Sequence, residues 1–366
     1  MSISKLKTCY LIPKLRFLLA VYTQIDDDTL AHMLSIYPAC GEFIRAEGVA
    51  AGSINSIFRT FTSTGTFYVR VSEGQPLQDL MRERALLDFL HQNHSRLGCT
   101  FAPHMQKNVA KGTFFPVVKG QWAAIFDELK GRELAVFELQ PEHLADLGDY
   151  LARAHLVLRK AKLRCKNPNG VLRMQQWMRK LDDQLPDRVL FRQLEKSFQQ
   201  VLRIRKKHLL PRGVIHGDLF LNNTKWQKGR LSAVFDWEMA GTDQLLLDVA
   251  IVICAWCWVR SQPANPSQQT DPSTNADSIK GHFRQDLVQA FLQAYQRVRS
   301  FSPQERRCLP NELRLAALRF TSSRVVDFEL PRSTDAEREF LDYREFWDRY
   351  QAIAGRRDRE LRAMWL

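Results

Sequence analysis

No stretch of the 366-residue sequence approaches the ~20 consecutive apolar residues that a membrane-spanning helix needs; the run from Val249 to Val259 stops at eleven. A disulfide frame is also missing. The seven cysteines are an odd number, scattered at 9, 40, 99, 165, 254, 257 and 308, as suits free thiols in a reducing compartment. Cys254 and Cys257 have CxxC spacing, but they sit inside the apolar run with no second Cys or His pair nearby, so core helix positions are expected rather than a redox or metal site. There is no GxGxxG sequence, no zinc-finger or RNA-recognition module and no internal repeat. The first nineteen residues carry Lys5, Lys7, Lys14 and Arg16 ahead of a short apolar run. No small-residue cleavage site follows, so residues 1–19 are expected to be a disordered extension outside the fold.

What remains is an ordinary globular composition, 45% apolar and 25% charged, long enough for one two-lobed unit or two domains. The net charge is +13, yet Lys and Arg are spread along the chain, including runs such as 203–207 on expected helix surfaces. Solubility and attraction for small anions explain this better than a nucleic-acid or membrane surface.

Chemistry concentrates between Val214 and Trp258. Val214 and Ile215 suit a short buried strand that delivers His216, Asp218 and Asn223 into a loop. Gly229 marks a turn, and Leu231 to Phe235 reads as a second strand ending on Asp236. Phosphoryl transfer from ATP requires such a set: one carboxylate to orient or deprotonate an acceptor hydroxyl, then an Asn and a second carboxylate for the magnesium that bridges the phosphates. Asp218 is the expected base, Asn223 and Asp236 the expected Mg2+ ligands, and His216 and Asp248 the expected braces of the loop.

The segments HGDLFLNN, VFDWEMAG and the following DVAIVICAWCW resemble the motifs of the aminoglycoside phosphotransferase and choline kinase superfamily. Within it they resemble the bacterial homoserine kinases of the phosphotransferase-like type. Ala20-Val-Tyr-Thr and Ala317-Leu-Arg-Phe with Arg324 and Asp327 agree too, so the resemblance runs from about Ala20 to about Leu330. It implies an α+β, protein-kinase-like two-lobed fold: an N-lobe antiparallel sheet plus helix over 20–126, and a mostly helical C-lobe over 127–366, with ATP between them. It also implies a small amino acid or amino alcohol as acceptor, most closely L-homoserine, in a cytoplasmic enzyme. Oligomeric state is left open. Glu238 stands where an aromatic residue is more usual in those homoserine kinases, which keeps other amino alcohols and aminoglycoside-like amines as alternatives. A nucleotide-binding pseudokinase is the remoter one.

Within that frame, runs at 43–49, 56–63 and 66–71 read as three antiparallel strands, and those near 116 and 122–126 complete a five-stranded sheet. Gly52 and Ser53, after the first strand, would let backbone N–H groups approach phosphate. The third strand carries Arg70 where kinases place a Lys, with Glu83 on the next helix as its partner. Asp127 to Gly131 is the expected hinge, its backbone at Asp127 and Leu129 facing adenine. Arg319, Arg324, Asp327 and Glu238 are candidates for the acceptor's charged groups. His155 is expected to be a satisfied core histidine, residues 261–282 a polar loop, and 279–297 and 311–328 amphipathic helices.

Overall fold

The computed structural model describes residues 23–49, 55–98, 101–107, 112, 114–117, 121–161, 163, 166–261, 281–330 and 342–365. Gly52, Ser53 and the 1–19 extension fall outside these. The chain divides into two compact units, residues 1–88 with 103–129, and 89–102 with 130–366.

The first unit is built on strands β1 (Phe43–Val49), β2 (Ser56–Thr62), β3 (Thr66–Ser72), β4 (Phe115–Pro116) and β5 (Trp122–Asp127), in the order β1-β2-β3-β5-β4. All neighbours are antiparallel, with Val69 opposite Ile125 and Arg70 opposite Ala124. Alternation of buried and partly buried residues along β2 gives the sheet one apolar face. Helix α1 (Asp27–Ser35) covers it with Leu30, Met33 and Leu34, against Phe58, Phe67, Val69, Val71 and Ile125. Asp26 caps that helix, its carboxylate accepting the Thr29 N–H at 2.7 Å. Helix α2 (Leu77–Gln92) follows β3 and starts within this unit.

The second unit is mostly helical. Helix α3 (Pro141–Leu158) packs along α7 (Gln285–Val298), and α8 (Pro303–Arg324) gathers α5 (Arg188–Lys207), α6 (Leu245–Trp256) and α9 (Arg344–Ala354) around it. Helices α4 (Val171–Gln184) and α10 (Asp358–Trp365) complete this layer. Gly148 marks where α3 meets α7: a Cβ there would sit 2.4 Å from the Phe291 carbonyl oxygen. Strand pairs β6 (Arg212–Ile215) with β9 (Gly241–Gln244), and β7 (Thr224–Gln227) with β8 (Arg230–Val234), carry the polar loop between them, and β10 (Trp258–Arg260) pairs with β11 (Gly281–Phe283). Every residue of α6 through Cys254 is buried, and all of these but Asp248 are apolar, as suits a core helix. Burial pushes the Cys254 thiol up to about 12, consistent with an inert packing residue. No helix among the described residues is long and apolar enough to cross a membrane.

Three expectations need correction. Helix α8 begins at Pro303, eight residues before the expected start, because Ser302 and Glu305 form a reciprocal capping box. The segment expected to turn helical at 279 first forms β11, and its helix starts at Gln285. Arg205, read as a surface charge, is buried: it donates to Asp243 Oδ1 at 2.5 Å and lies 3.3 Å from Glu312.

Candidate active site

Strand β6 ends at Ile215, and the chain then turns through His216-Gly217-Asp218. Gly217 has φ +78°, and a Cβ there would lie 2.8 Å from the Met239 carbonyl oxygen, so the turn requires glycine. Asp248, fully buried on α6, holds the turn from beneath. Its carboxylate accepts the His216 N–H at 2.7 Å and the Gly217 N–H at 2.8 Å. Burial alone would raise its pKa, but the hydrogen bond from His155 and these neighbours bring it below the ordinary value. The His216 ring is also fully engaged: Nε2 donates to the Phe235 carbonyl at 3.0 Å and Nδ1 accepts the Asp218 N–H at 3.2 Å. Burial holds it neutral by lowering its pKa. His216 therefore braces the loop and has no lone pair left for proton transfer.

Further contacts fix the loop's exit. Trp256 Nε1 donates to the Leu219 carbonyl at 2.8 Å, and Asn223 Nδ2 donates to the Asp218 carbonyl at 2.8 Å. The second bond orients the Asn223 amide by committing its Nδ2 to the loop, with Oδ1 as the remaining acceptor of that amide. Phe235 N–H donates to the Asn223 carbonyl at 3.0 Å, which sets Asp236 close to Asn223 in the chain fold. Asp236 adopts φ 63° and ψ 58°, a left-handed conformation that side chains other than glycine tolerate sparingly. Such strain concentrates at functional positions.

Asp218 is half-buried, and burial pushes its carboxyl up to about 6. The positive charges of Arg319 and Arg324 oppose that rise, while Glu238 and Asp248 add to it. Arg319, Arg324 and Glu238 thus surround Asp218 electrostatically. Asp327 does not join them; it is exposed in the π-helical segment Val325–Glu329 that continues α8, with Arg173 and Lys180 of α4 as its charged neighbours. Arg324 is tied down, its Nη1 donating to the Asp342 carbonyl and to Glu345 Oε2, both at 2.8 Å. Phe220 packs edge-on to Phe320, centroids 4.9 Å apart, and Phe320 lies 4.9 Å from Phe346, so α8 and α9 bear directly on the loop.

Beneath the loop runs a buried polar chain that sequence reasoning missed. Glu305 accepts from Arg299 Nη2 at 2.7 Å, Arg299 Nη1 donates to the Tyr295 hydroxyl at 3.2 Å, and that hydroxyl donates to His155 Nδ1 at 2.7 Å. His155 Nε2 then donates to Asp248 Oδ2 at 3.2 Å. Partners 93 and 140 positions apart leave no spacing signal.

In the first unit, Arg70 and Glu83 form a buried two-armed ion pair, Nη1 to Oε1 at 2.9 Å and Nη2 to Oε2 at 2.5 Å. Asp127 closes β5, with its carboxylate accepting from His104 Nδ1 at 3.1 Å and from Gln106 Nε2. Its N–H is donated to the His104 carbonyl, so the expected adenine contact cannot use that group. Leu129, two residues on, is half-buried.

A sheet unit followed by a helical unit with this strand–loop–strand defines the protein-kinase-like fold. An amicoumacin kinase in complex with AMP-PNP and Ca2+ superposes with a TM-score of 0.68 at 12% identity, over 92% of this chain and 97% of that one. A microcompartment-associated aminopropanol kinase gives 0.63 at 14% identity, over 93% and 99%. The chain belongs to the phosphotransferase enzyme family, which it matches over residues 45–301. A homoserine kinase of Methylobacillus flagellatus is 30% identical over 323 residues, 86% of this chain and 89% of that protein. One of Nitrobacter hamburgensis is 31% identical over 320 residues, 85% and 87%.

Proposed function

We propose that the protein transfers the γ-phosphoryl group of ATP to the side-chain hydroxyl of an amino acid, L-homoserine first, giving O-phospho-L-homoserine for threonine biosynthesis in the cytoplasm. The observation that carries this is the Asp218 carboxylate, raised by burial yet flanked by two arginines, on a loop fixed by six separate hydrogen bonds. The relatives' activity supplies the acceptor.

Asp218 accepts the hydroxyl proton as the acceptor oxygen bonds to the γ-phosphorus, and the bond from that phosphorus to the β–γ bridging oxygen breaks to release ADP. Asn223 Oδ1 and the Asp236 carboxylate fit magnesium, since both are hard oxygen donors and the Nδ2 of Asn223 is already committed to the loop. Among the described residues no group of three or more His, Cys, Asp or Glu converges as a metal cage. Two protein ligands suit an ion otherwise held by phosphate and water. When bound, it neutralises charge on the transferring group. Asp218, Asn223 and Asp236 together argue against a pseudokinase. Arg70, steadied by Glu83, is assigned to the nucleotide phosphates with Gly52 and Ser53, and Leu129 to the adenine. Glu238 is assigned to the acceptor's ammonium.

The test is ADP release from Mg-ATP with L-homoserine, serine, choline, ethanolamine and kanamycin. Homoserine-dependent release that disappears in Asp218→Asn supports the reading. Release with another acceptor alone replaces the substrate and keeps the mechanism.

A further inference from the structure

Five arginines are buried among the described residues: 70, 205, 299, 319 and 349. Four of them reach a carboxylate within 4.0 Å, namely Glu83, Asp243, Glu305 and Glu345. Arg319 does not. It is 2% exposed, forms no ion pair with any described residue, and its Nη1 is buried without a hydrogen-bond partner. Its guanidinium carbon lies 4.7 Å from the Phe320 ring centroid, a cation–π contact that supplies no hydrogen-bond acceptor for the fork. An unpaired buried cation opposes folding, and a chain ordinarily removes it or pairs it. The nearby carboxylates of Asp218, Asp248 and Asp243 act on Arg319 through space without touching it. Of the two arginines beside Asp218, Arg324 is already claimed by Glu345 and the Asp342 carbonyl, so only Arg319 is left with an empty position.

We infer that Arg319 is the receptor for an acidic group on the acceptor, a carboxylate, and so sets the specificity of the site for amino acids over the corresponding amines. The inference rests on the phosphotransferase reading above and deepens it. A planar fork with a vacant N–H matches a carboxylate in shape and charge, and the acceptor's arrival satisfies a group the apoprotein leaves unmet. A site built to hydrogen-bond a group rejects analogues lacking it far more strongly than an apolar pocket rejects a missing methylene.

L-homoserine and 3-aminopropan-1-ol share hydroxyl and amine and differ by the carboxylate, so their kcat/KM values for ADP release isolate it. In the full-length protein, homoserine should be preferred by about 100-fold or more, the scale of a lost partner for a buried charge. Arg319→Met should erase most of that preference by lowering homoserine turnover about 100-fold while lowering aminopropanol turnover less than about tenfold. Equal losses for both acceptors, or a rise in KM for ATP in place of the acceptor, would overturn the assignment. Thermal-shift titration with L-2-aminobutyrate, which lacks the hydroxyl, reads the same site without turnover. Stabilisation of the wild type but not of Arg319→Met supports the inference even if no acceptor is phosphorylated, and no stabilisation of the wild type overturns it. ADP release only with acceptors that have no acidic group sinks the inference and leaves the kinase reading standing. Without ligand, Arg319→Met should melt no lower than the wild type; a clear drop would make Arg319 a structural residue.

Discussion

Asp248→Asn isolates the contribution of the carboxylate that carries the turn. Asp248 is fully buried and accepts from the His216 N–H, the Gly217 N–H and His155 Nε2 at 2.7, 2.8 and 3.2 Å. Asparagine has nearly the same shape but one acceptor oxygen, and its NH2 must face a donor. One charge-assisted bond is lost, worth about 1.5–3 kcal/mol, and the facing donor is left unsatisfied at about 1–3 kcal/mol more. A loss of about 3–5 kcal/mol is therefore expected, in line with breaking other buried ionic networks. Against a typical total of about 5–15 kcal/mol this is large. Urea unfolding followed by tryptophan emission suits the assay, because the Trp237 ring lies 4.5 Å from that of His216. With two compact units the curve can show two transitions, and the loss belongs to the one that reports Trp237. An unchanged slope with a midpoint shift equivalent to less than about 1 kcal/mol would refute the reasoning.

Asp236→Asn should lower kcat for ADP release by about 1,000-fold while leaving the circular dichroism spectrum intact, as expected when charge on the phosphoryl group is poorly neutralised; near-normal turnover rules out the metal role. Asp218 must be ionised to accept a proton, and burial pushes it up to about 6, so kcat/KM should halve near pH 6 and fall about tenfold per unit below it, with a flat profile to pH 4.5 disproving the assignment. Burial likewise pushes Glu312 up to about 7, so the folded state holds a proton that the unfolded chain releases near 4.5. Stability should therefore decline as pH rises from 4.5 to 7, by at most about 3 kcal/mol, and Glu312→Gln should flatten that decline in urea titrations at pH 5 and 8.

The candidate site residues were legible because their chemistry is local. His216, Asp218, Asn223 and Asp236 occupy one strand–loop–strand, where spacing along the chain is spacing in space, and the structure places them there. The first three strands were legible for the same reason, as adjacent runs of β-branched and aromatic residues, whereas β5 reaches β3 only after α2 and β4 have intervened in the chain. The Arg70–Glu83 pair followed from the kinase resemblance, which puts a cation on the third strand and its Glu partner on the next helix. What stayed hidden depends on tertiary packing. Nothing in the pattern says that Tyr295 meets His155, that Arg205 turns inward to Asp243, or that Glu345, from a segment beyond the recognised resemblance, holds Arg324. The late start assigned to α8 was different in kind, since Ser302 and Glu305 are a readable cap.

The buried chain from Glu305 through Arg299, Tyr295 and His155 to Asp248 also bears on the order of events during synthesis. The turn at Gly217 leaves the ribosome almost ninety residues ahead of Glu305. Asp248 can meet His155, His216 and Gly217 as soon as it is made. Until α7 has emerged and docked against α3, and α8 has followed, however, His155 lacks the Tyr295 hydroxyl and the Arg299–Glu305 pair behind it. The nascent turn thus has a scaffold strand before it has a foundation, and the kinase geometry is a late product of vectorial folding.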